Sequence, residues 1–460
     1  MNIALIIYLV FLVVIAVRSA KSVKDIPDFF VARKGASAKA VAGSLVATIL
    51  GGSAVIGAVD SGARLGGAAT WFMLVGALGL VALIPFARRA YNHGKYTLPD
   101  LVENLYGRGP RLVASLVIPV AWTGIVAAQI IAAAKLLMTF APLGYTQAAL
   151  VSAAVFTGYT LAGGQHSILR TDFLQACLII VGLLTVAGFA LFAGTGASSL
   201  STVLQGAPEF PFNTNFTPFD LFLLVLTYGT TYTAGPDIFS RMFCAKDVAT
   251  AKKAIGMAAA TLVPVAFVIG FLAVYGVSLE NVQGAHITAI ADKVLPSALI
   301  PLVALALLSV VLSSADTTLL SSSVILYGMF RKQDSDVDVN GANGANAGRR
   351  LGGIRITILL NGIVALLLAL VFTDIIGTLL LALAVYAGAF TVPILWGLLG
   401  LRAKPKFVAA AIVAGGILAL AGKLCPALPG SLGTHTGDIL MVLAFAVNAA
   451  ILALGRTRSE

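Results

Sequence analysis

The sequence predicts an all-α integral membrane protein of about thirteen transmembrane helices. Three observations carry that reading: the composition, the recurrence of long apolar runs, and the placement of positive charge. The 460 residues are 59% hydrophobic and 11% charged, with a mean hydropathy of +0.98. A water-soluble protein of this size needs more polar surface, so the solvent of this chain is lipid.

Runs of about 20 apolar residues suffice to cross a bilayer as a helix. They fall at roughly 2–17, 40–60, 68–88, 111–138, 145–163, 171–194, 217–239, 251–276, 295–329, 352–373, 375–399, 405–422 and 437–455. The first, IALIIYLVFLVVIAV, has no basic segment ahead of it; Arg18, Lys21 and Lys24 follow it instead. That pattern favours a retained helix over a cleaved leader, with the N-terminus outside. Thirteen passes then bring the C-terminus to the cytoplasm, and 26 of the 30 Lys and Arg fall in inner loops, Arg170 and Arg241 among them. Only Arg64, Lys135, Lys293 and Lys423 fall elsewhere. Such asymmetry marks a multi-pass protein of the cell (inner) membrane. The net charge of +11 belongs to loops facing an anionic leaflet and requires no nucleic acid.

Other classes find little support. Cys177, Cys244 and Cys425 are too far apart for a disulfide framework or a metal site, and the four histidines lack ligand spacing and read as structural. No phosphate-binding glycine loop is present to point to ATP. The longest inner loop, RKQDSDVDVNGANGANAGRRL at 331–351, is of low complexity and reads as flexible. The whole chain, 1–460, reads as one transmembrane domain.

Two runs are interrupted. Gly51-Gly52 breaks SLVATILGGSAVIGAVDSG, and Gly229 to Pro236 breaks LVLTYGTTYTAGPDIFSRMF. Each begins a five-helix set if the helices divide as one, five, five and two, giving units at 40–194 and 217–399. Paired breaks of this kind point to a transporter's binding site, although glycine also permits close helix packing. Asp172 opens the sixth run and admits two readings. It is a helix cap beside Arg170, or a carboxylate facing a cavity with a partner. Val310, Ser313, Ser314 and Thr317 share one helix face by their i, i+3, i+4, i+7 spacing. Sodium takes oxygen ligands, and two hydroxyls beside the freed carbonyls of an unwound neighbour supply them. Serines bonding back to their own helix are the plainer alternative.

On these residues the chain resembles the sodium:solute symporter family, with its LeuT-type five-plus-five inverted repeat. ATILGGSAVIG, GGQHSILRTDFLQ, GPDIFSRMFCAKD and LSSADTTLLSSS carry the match in the family's order and spacing. The resemblance implies a sodium site between core helices 1 and 8. Carbonyls of Ala47, Leu50 and Val310 and hydroxyls of Ser313 and Ser314 would form it. In some members a second sodium uses Asp172 with the same serines. Val310 departs from the small residue common at its position, but only its carbonyl is needed. Asp316 lies in a stretch frequent in the family and would support the helix or an inner gate.

The expected function is sodium-coupled import of a small organic solute by alternating access, by a chain acting as a monomer and not as an enzyme. The solute would sit near Gly51, Gly52, Ser53, Ile56, Thr230, Thr231 and Tyr232, with Trp122 and Gln129 from the neighbouring run. Lys135 either holds a substrate carboxylate or snorkels to the outer headgroups. An amino acid or carboxylate is favoured. A proton-coupled carrier of the same fold and a choline-like or sugar-like substrate stay open.

Overall fold

The computed structural model describes residues 30–193, 210–277, 285–329, 344–424 and 436–457, with Tyr8, Val10, Val14, Ile15, Arg18 and Leu279. The described chain is almost wholly helical. A short segment leads into α1 (Ala38–Ile49), which bends by 55° into α2 (Ser53–Asp60). There follow α3 (Thr70–Leu83), the short α4 (Ala87–His93) and α5 (Leu98–Tyr106), and α6 (Arg108–Phe140). Tyr145–Ala193 is one run folded at Gly164 into α7 (145–163) and α8 (165–193). Residues 218–234 form α9, and α10 (Pro236–Cys244) continues it beyond a break. Then come α11 (Val248–Val277), the short α12 (His286–Val294), α13 (Ile300–Met329), α14 (Gly344–Val371) and α15 (Ile375–Leu398). The last are α16 (Pro405–Leu424) and α17 (Thr436–Leu454). A two-residue antiparallel ribbon, β1 (Arg402–Ala403) with β2 (Arg456–Thr457), ties their ends.

Each apolar run from the second to the last falls on one of these helices. The first lies almost entirely outside the described residues, so the count of thirteen is not reached among them. Nine described helices, with the run Gly62–Leu83 that ends in α3 counted as one, are long and apolar enough to cross a membrane, ten with the bent α1–α2 pair counted as one span. The segment read as a loop at 331–351 lies outside the described residues as far as 343, and the backbone is helical from Gly344.

The interruptions have local causes. The α7–α8 fold rests on Gly164, whose φ of 57° and ψ of −165° only glycine holds without strain. At the second break Gly235 is extended (φ −73°, ψ 139°), and Pro236 starts α10 where a missing N–H costs no bond. Both broken helices also carry a π-helical turn, at Ser53–Gly57 and Val225–Gly229. Such turns loosen a helix and gather at functional places. Pro393 inside α15 deprives Ala389 O of its intrahelical donor. Asn448 Nδ2 of α17 supplies one instead, at 3.1 Å, while also reaching Gly388 O at 2.7 Å.

Burial is graded from the centre outward. Of the apolar window in α13, 83% is buried within the protein, against 33% in α16 and 22% in α17. α13 is therefore the axis of the bundle, packed along α7–α8 and α6. A polar bridge crosses this centre: Thr123 Oγ1 of α6 donates to Asn361 Oδ1 of α14 at 2.5 Å. Asn361 Nδ2 then donates to Ser322 Oγ of α13, also at 2.5 Å. The outer faces reverse the rule for water-soluble proteins, with Leu116, Val120, Phe267, Ile356, Leu360 and Ile417 all exposed. Lipid is the solvent that accepts such a surface.

Candidate functional site

The first break and α13 meet through an exchange of hydrogen bonds. In a continuous helix Gly52 N–H would bond Thr48 O; here it donates to Gln129 Oε1 of α6 at 2.9 Å. Thr48 O accepts the Ser314 hydroxyl at 2.7 Å, and Ala47 O accepts the Ser313 hydroxyl at 2.8 Å. Ser313 Oγ also lies 2.8 Å from Ser309 O and 3.4 Å from Val310 O. Leu50, the residue at which α1 ends, is fully buried beside them. The expected oxygens of Ala47, Val310, Ser313 and Ser314 thus converge across two helices. The close approach requires Gly51, because a Cβ there would stand 2.5 Å from Ser314 Oγ. Gly52 is likewise packed against Ala132 and Val311.

A charged cluster lies one turn further along α13. Asp172 is the eighth residue of α8 and fully buried, so it is no cap, and its ionic partner is not the exposed Arg170. Ser44 Oγ of α1 donates to Asp172 Oδ2 at 2.5 Å, and Arg241 Nη2 of α10 stands 3.6 Å from the same oxygen. Arg241 Nε donates to Ser44 Oγ at 3.2 Å, its Nη1 to Ser240 Oγ at 3.0 Å, and its Nη2 to Thr317 Oγ1 of α13. Thr317 Oγ1 in turn lies 2.7 Å from Ser313 O and 3.3 Å from Asp316 Oδ1. Asp172 Oδ1 and Asp316 Oδ2 are buried and have no hydrogen-bond partner among the described residues.

Arg241 corrects the charge map. It was counted with the inner-loop cations, yet it is fully buried, tying α1, α8, α10 and α13 with one guanidinium. The planar fork of arginine suits it to several acceptors at once. Its neighbours in GPDIFSRMFCAKD gave the only hint, since apolar residues stand on both sides of it.

The residues proposed to line a solute site separate into groups. Trp122 of α6 is fully buried at the second break. Its ring lies edge-on to Tyr386 of α15 at 4.5 Å, and Tyr386 Oη donates to Ala234 O, the last carbonyl before Gly235. Thr230 Oγ1 donates to Leu226 O at 2.5 Å and accepts from Thr391 Oγ1 at 3.0 Å; Thr231 Oγ1 bonds back to Thr227 O at 2.7 Å. Ser53 and Ile56 are buried on α2. Tyr232 faces Gly76 of α3 and pairs with the Tyr228 ring at 5.0 Å. Lys135 is half-buried six residues beyond Gln129, about 9 Å along α6. Tyr386, Ser44 and Arg241 enter the picture only with the structure.

This architecture, two broken helices packed against a central polar helix, is that of a secondary transporter, and solved structures share it. A Na+-coupled sialic acid symporter in a substrate-bound outward-open state aligns with 100% of this chain and 98% of its own, at a TM-score of 0.76 and 19% identity. Mhp1, a nucleobase-cation-symport-1 family transporter, aligns at 0.54 and 15% identity, over 94% of this chain and 96% of its own. The fold is the LeuT type. The sequence model of the sodium:solute symporter family matches residues 29–413, and the chain belongs to that family. Among curated relatives, the sodium/proline symporter of Haemophilus influenzae is 28% identical over 240 residues, 49% of this chain and 46% of that protein. The sodium/proline symporter of Escherichia coli is 27% identical over 224 residues, 47% of this chain and 43% of that protein. The matched stretch thus spans somewhat under half the length of either relative.

Proposed function

We propose that the chain is a sodium-coupled symporter that imports a small amino acid or carboxylate by alternating access, as a monomer with its N-terminus outside. One observation carries the reading. The Ser313 and Ser314 hydroxyls are bonded to carbonyls that the Gly51-Gly52 break withdrew from the α1 ladder. Sodium, as a co-transported substrate, takes the centre of this group, with Ala47, Leu50 and Val310 giving carbonyls and the two serines giving hydroxyl oxygens. The Ser313 proton already has a second acceptor in Ser309 O, so its lone pairs are free to turn to the ion. One sodium moving inward yields about 2.3 kcal/mol per 100 mV, and a tenfold gradient adds about 1.4 kcal/mol. Together they support accumulation of a neutral solute by roughly several hundredfold.

The sodium/proline symporter relatives favour an amino acid as the solute. The two unpartnered carboxylate oxygens, on Asp172 and Asp316, favour a second cation beside Arg241, either sodium or a proton. Uptake of L-proline into proteoliposomes, with external sodium exchanged for potassium at fixed pH, tests the reading. Loss of uptake in potassium supports sodium coupling. Uptake that follows only a pH gradient overturns it for the proton-coupled carrier. No proline uptake, with saturable sodium binding intact, moves the solute to another class, choline-like or sugar-like compounds included.

A further inference from the structure

Arg170 and Asp172 stand two residues apart in the motif GGQHSILRTDFLQ, yet Asp172 is fully buried in the charged cluster and Arg170 is exposed. Arg170 lines a different feature, a cavity of about 590 Å³ between the start of α1 and α8, open to the exterior. Ser37, Lys39, Leu169 and Phe173 line it as well. One turn beyond Lys39 the two helices touch, since a Cβ on Gly43 would stand 2.6 Å from Phe173 Cδ2.

The cavity collects positive charge without a counter-ion. Lys39 is the second residue of α1, where a cation opposes the positive end of the helix dipole. Arg170 adds a like charge from α8, and neither side chain makes an ion pair among the described residues. The carboxylate nearest in sequence, Asp172, is engaged by Ser44 and Arg241. Ser37 Oγ accepts from Ala40 N at 3.3 Å, which leaves its proton to give. The remaining wall is apolar: Phe173, one turn along α8 from Arg170, is 47% exposed.

We propose that this cavity seats an anionic phospholipid of the cytoplasmic leaflet, its phosphate on Arg170, Lys39 and Ser37 and an acyl chain along Phe173. A guanidinium grips a phosphodiester through two parallel hydrogen bonds, and the ammonium and hydroxyl complete the set. Basic pockets between membrane helices on the cytoplasmic side suit such headgroups. The exposed Phe173 favours a lipid over free phosphate, which has no chain to lay on the ring. Seated there, the lipid relieves the repulsion between the two cations and ties α1, which carries the Ala47 and Thr48 carbonyls, to α8. The leaflet follows from the proposed orientation of the chain; the headgroup site does not depend on it or on the solute.

Photo-crosslinking of the purified full chain in mixed micelles tests this, using phosphatidylglycerol with a diazirine in its acyl chain. The adduct is expected to be saturable and to map to α8 around Phe173. Unlabelled phosphatidylglycerol should displace it where phosphatidylcholine does not. Lys39→Gln combined with Arg170→Gln is expected to raise the half-saturating lipid concentration about thirtyfold, the effect of two charges at a membrane surface. Lys39→Arg with Arg170→Lys keeps both charges and should retain most of the affinity. Arg355→Gln, in the single-cation groove between α7 and α14, should leave this adduct unchanged. Displacement by phosphatidylcholine, or an adduct that the glutamine pair retains, overturns the site as mere contact with bulk lipid. Displacement by inorganic phosphate at the same concentration overturns the lipid as its occupant. Micelles have no sidedness, so a wrong orientation of the chain would alter the leaflet and not these results.

Discussion

Gly52 and Gln129 are joined across the first break by a 2.9 Å bond from the backbone amide to the side-chain oxygen. The bond holds the break open, because it occupies the donor that would otherwise close the helix onto Thr48 and free Ser314. Gln129 therefore sustains the geometry of the proposed sodium site without being one of its proposed ligands. Gln129→Leu leaves a buried N–H without a partner, at a cost of about 1–3 kcal/mol. A lower melting temperature in detergent is expected, with weaker sodium binding. Gln129→Glu keeps the acceptor oxygen and should retain more of both; equal losses in the two variants would assign the residue to packing alone.

Ser313 and Ser314 differ in their alternatives. Ser313 Oγ reaches both the Ala47 and Ser309 carbonyls at 2.8 Å, whereas Ser314 Oγ bonds Thr48 O at 2.7 Å. If each contributes one oxygen to the ion, Ser313→Ala and Ser314→Ala should each raise the sodium concentration for half-maximal binding about tenfold, equivalent to ~1.4 kcal/mol. Scintillation proximity with radioactive sodium on purified protein measures this directly. Unaltered affinity in both folded variants would remove the sodium site from this pair.

The Arg241–Asp172 pair is fully buried on both sides, so its halves are not independent. Removing one partner of such a pair strands the other charge, at a cost of about 3–5 kcal/mol. Arg241→Gln and Asp172→Asn should each lower thermal stability sharply, and the double variant should recover much of the loss. Survival of the heated protein on size-exclusion chromatography gives the comparison. Strict additivity would mean that Ser44 and Thr317, and not the carboxylate, hold the guanidinium in place.

Much of this was legible in the sequence because lipid simplifies the code. A helix that must satisfy its own backbone appears as an apolar run, and glycine pairs or Gly-Pro show where it fails to do so. The shared face of Val310, Ser313, Ser314 and Thr317 on α13 was readable from helical spacing, but not whether its hydroxyls bond back along the helix or across to α1: Ser313 does both and Ser314 bonds Thr48 O. Arg241 was not readable, since the same residue two turns later would have been an inner-loop charge, and only the fold of α10 behind Gly235 buries it. Tyr386 and Gln129 were hidden differently. Their roles are bonds to backbone atoms on other helices, and spacing within one segment carries no trace of those. Likewise Asp172 left two readings open until the fold at Gly164 set it eight residues into α8 instead of at its start.

His286 and Asp60 join α12 to the end of α2. His286 donates through its backbone N to Asp60 Oδ1 at 2.8 Å, and its ring Nδ1 stands 3.2 Å from the same oxygen. The hydrogen bond to Asp60, aided by the carboxylate charge and opposed by partial burial, raises the imidazole above its ordinary value of 6.5. A raised folded value means that protonated His286 stabilises the fold. The contribution is complete below about pH 6.5 and is lost as pH climbs through the higher value. Melting temperature should therefore fall from pH 6 toward pH 8 by more in the native chain than in Asp60→Asn or His286→Gln, whose profiles flatten over that interval. Since α2 ends at Asp60, the same link is expected to make movement of α2 away from α12 easier as pH rises. Faster labelling of Asp60→Cys than of Ser61→Cys would not bear on this; a native profile as flat as that of the variants would, by showing that the pair carries no proton-dependent stability.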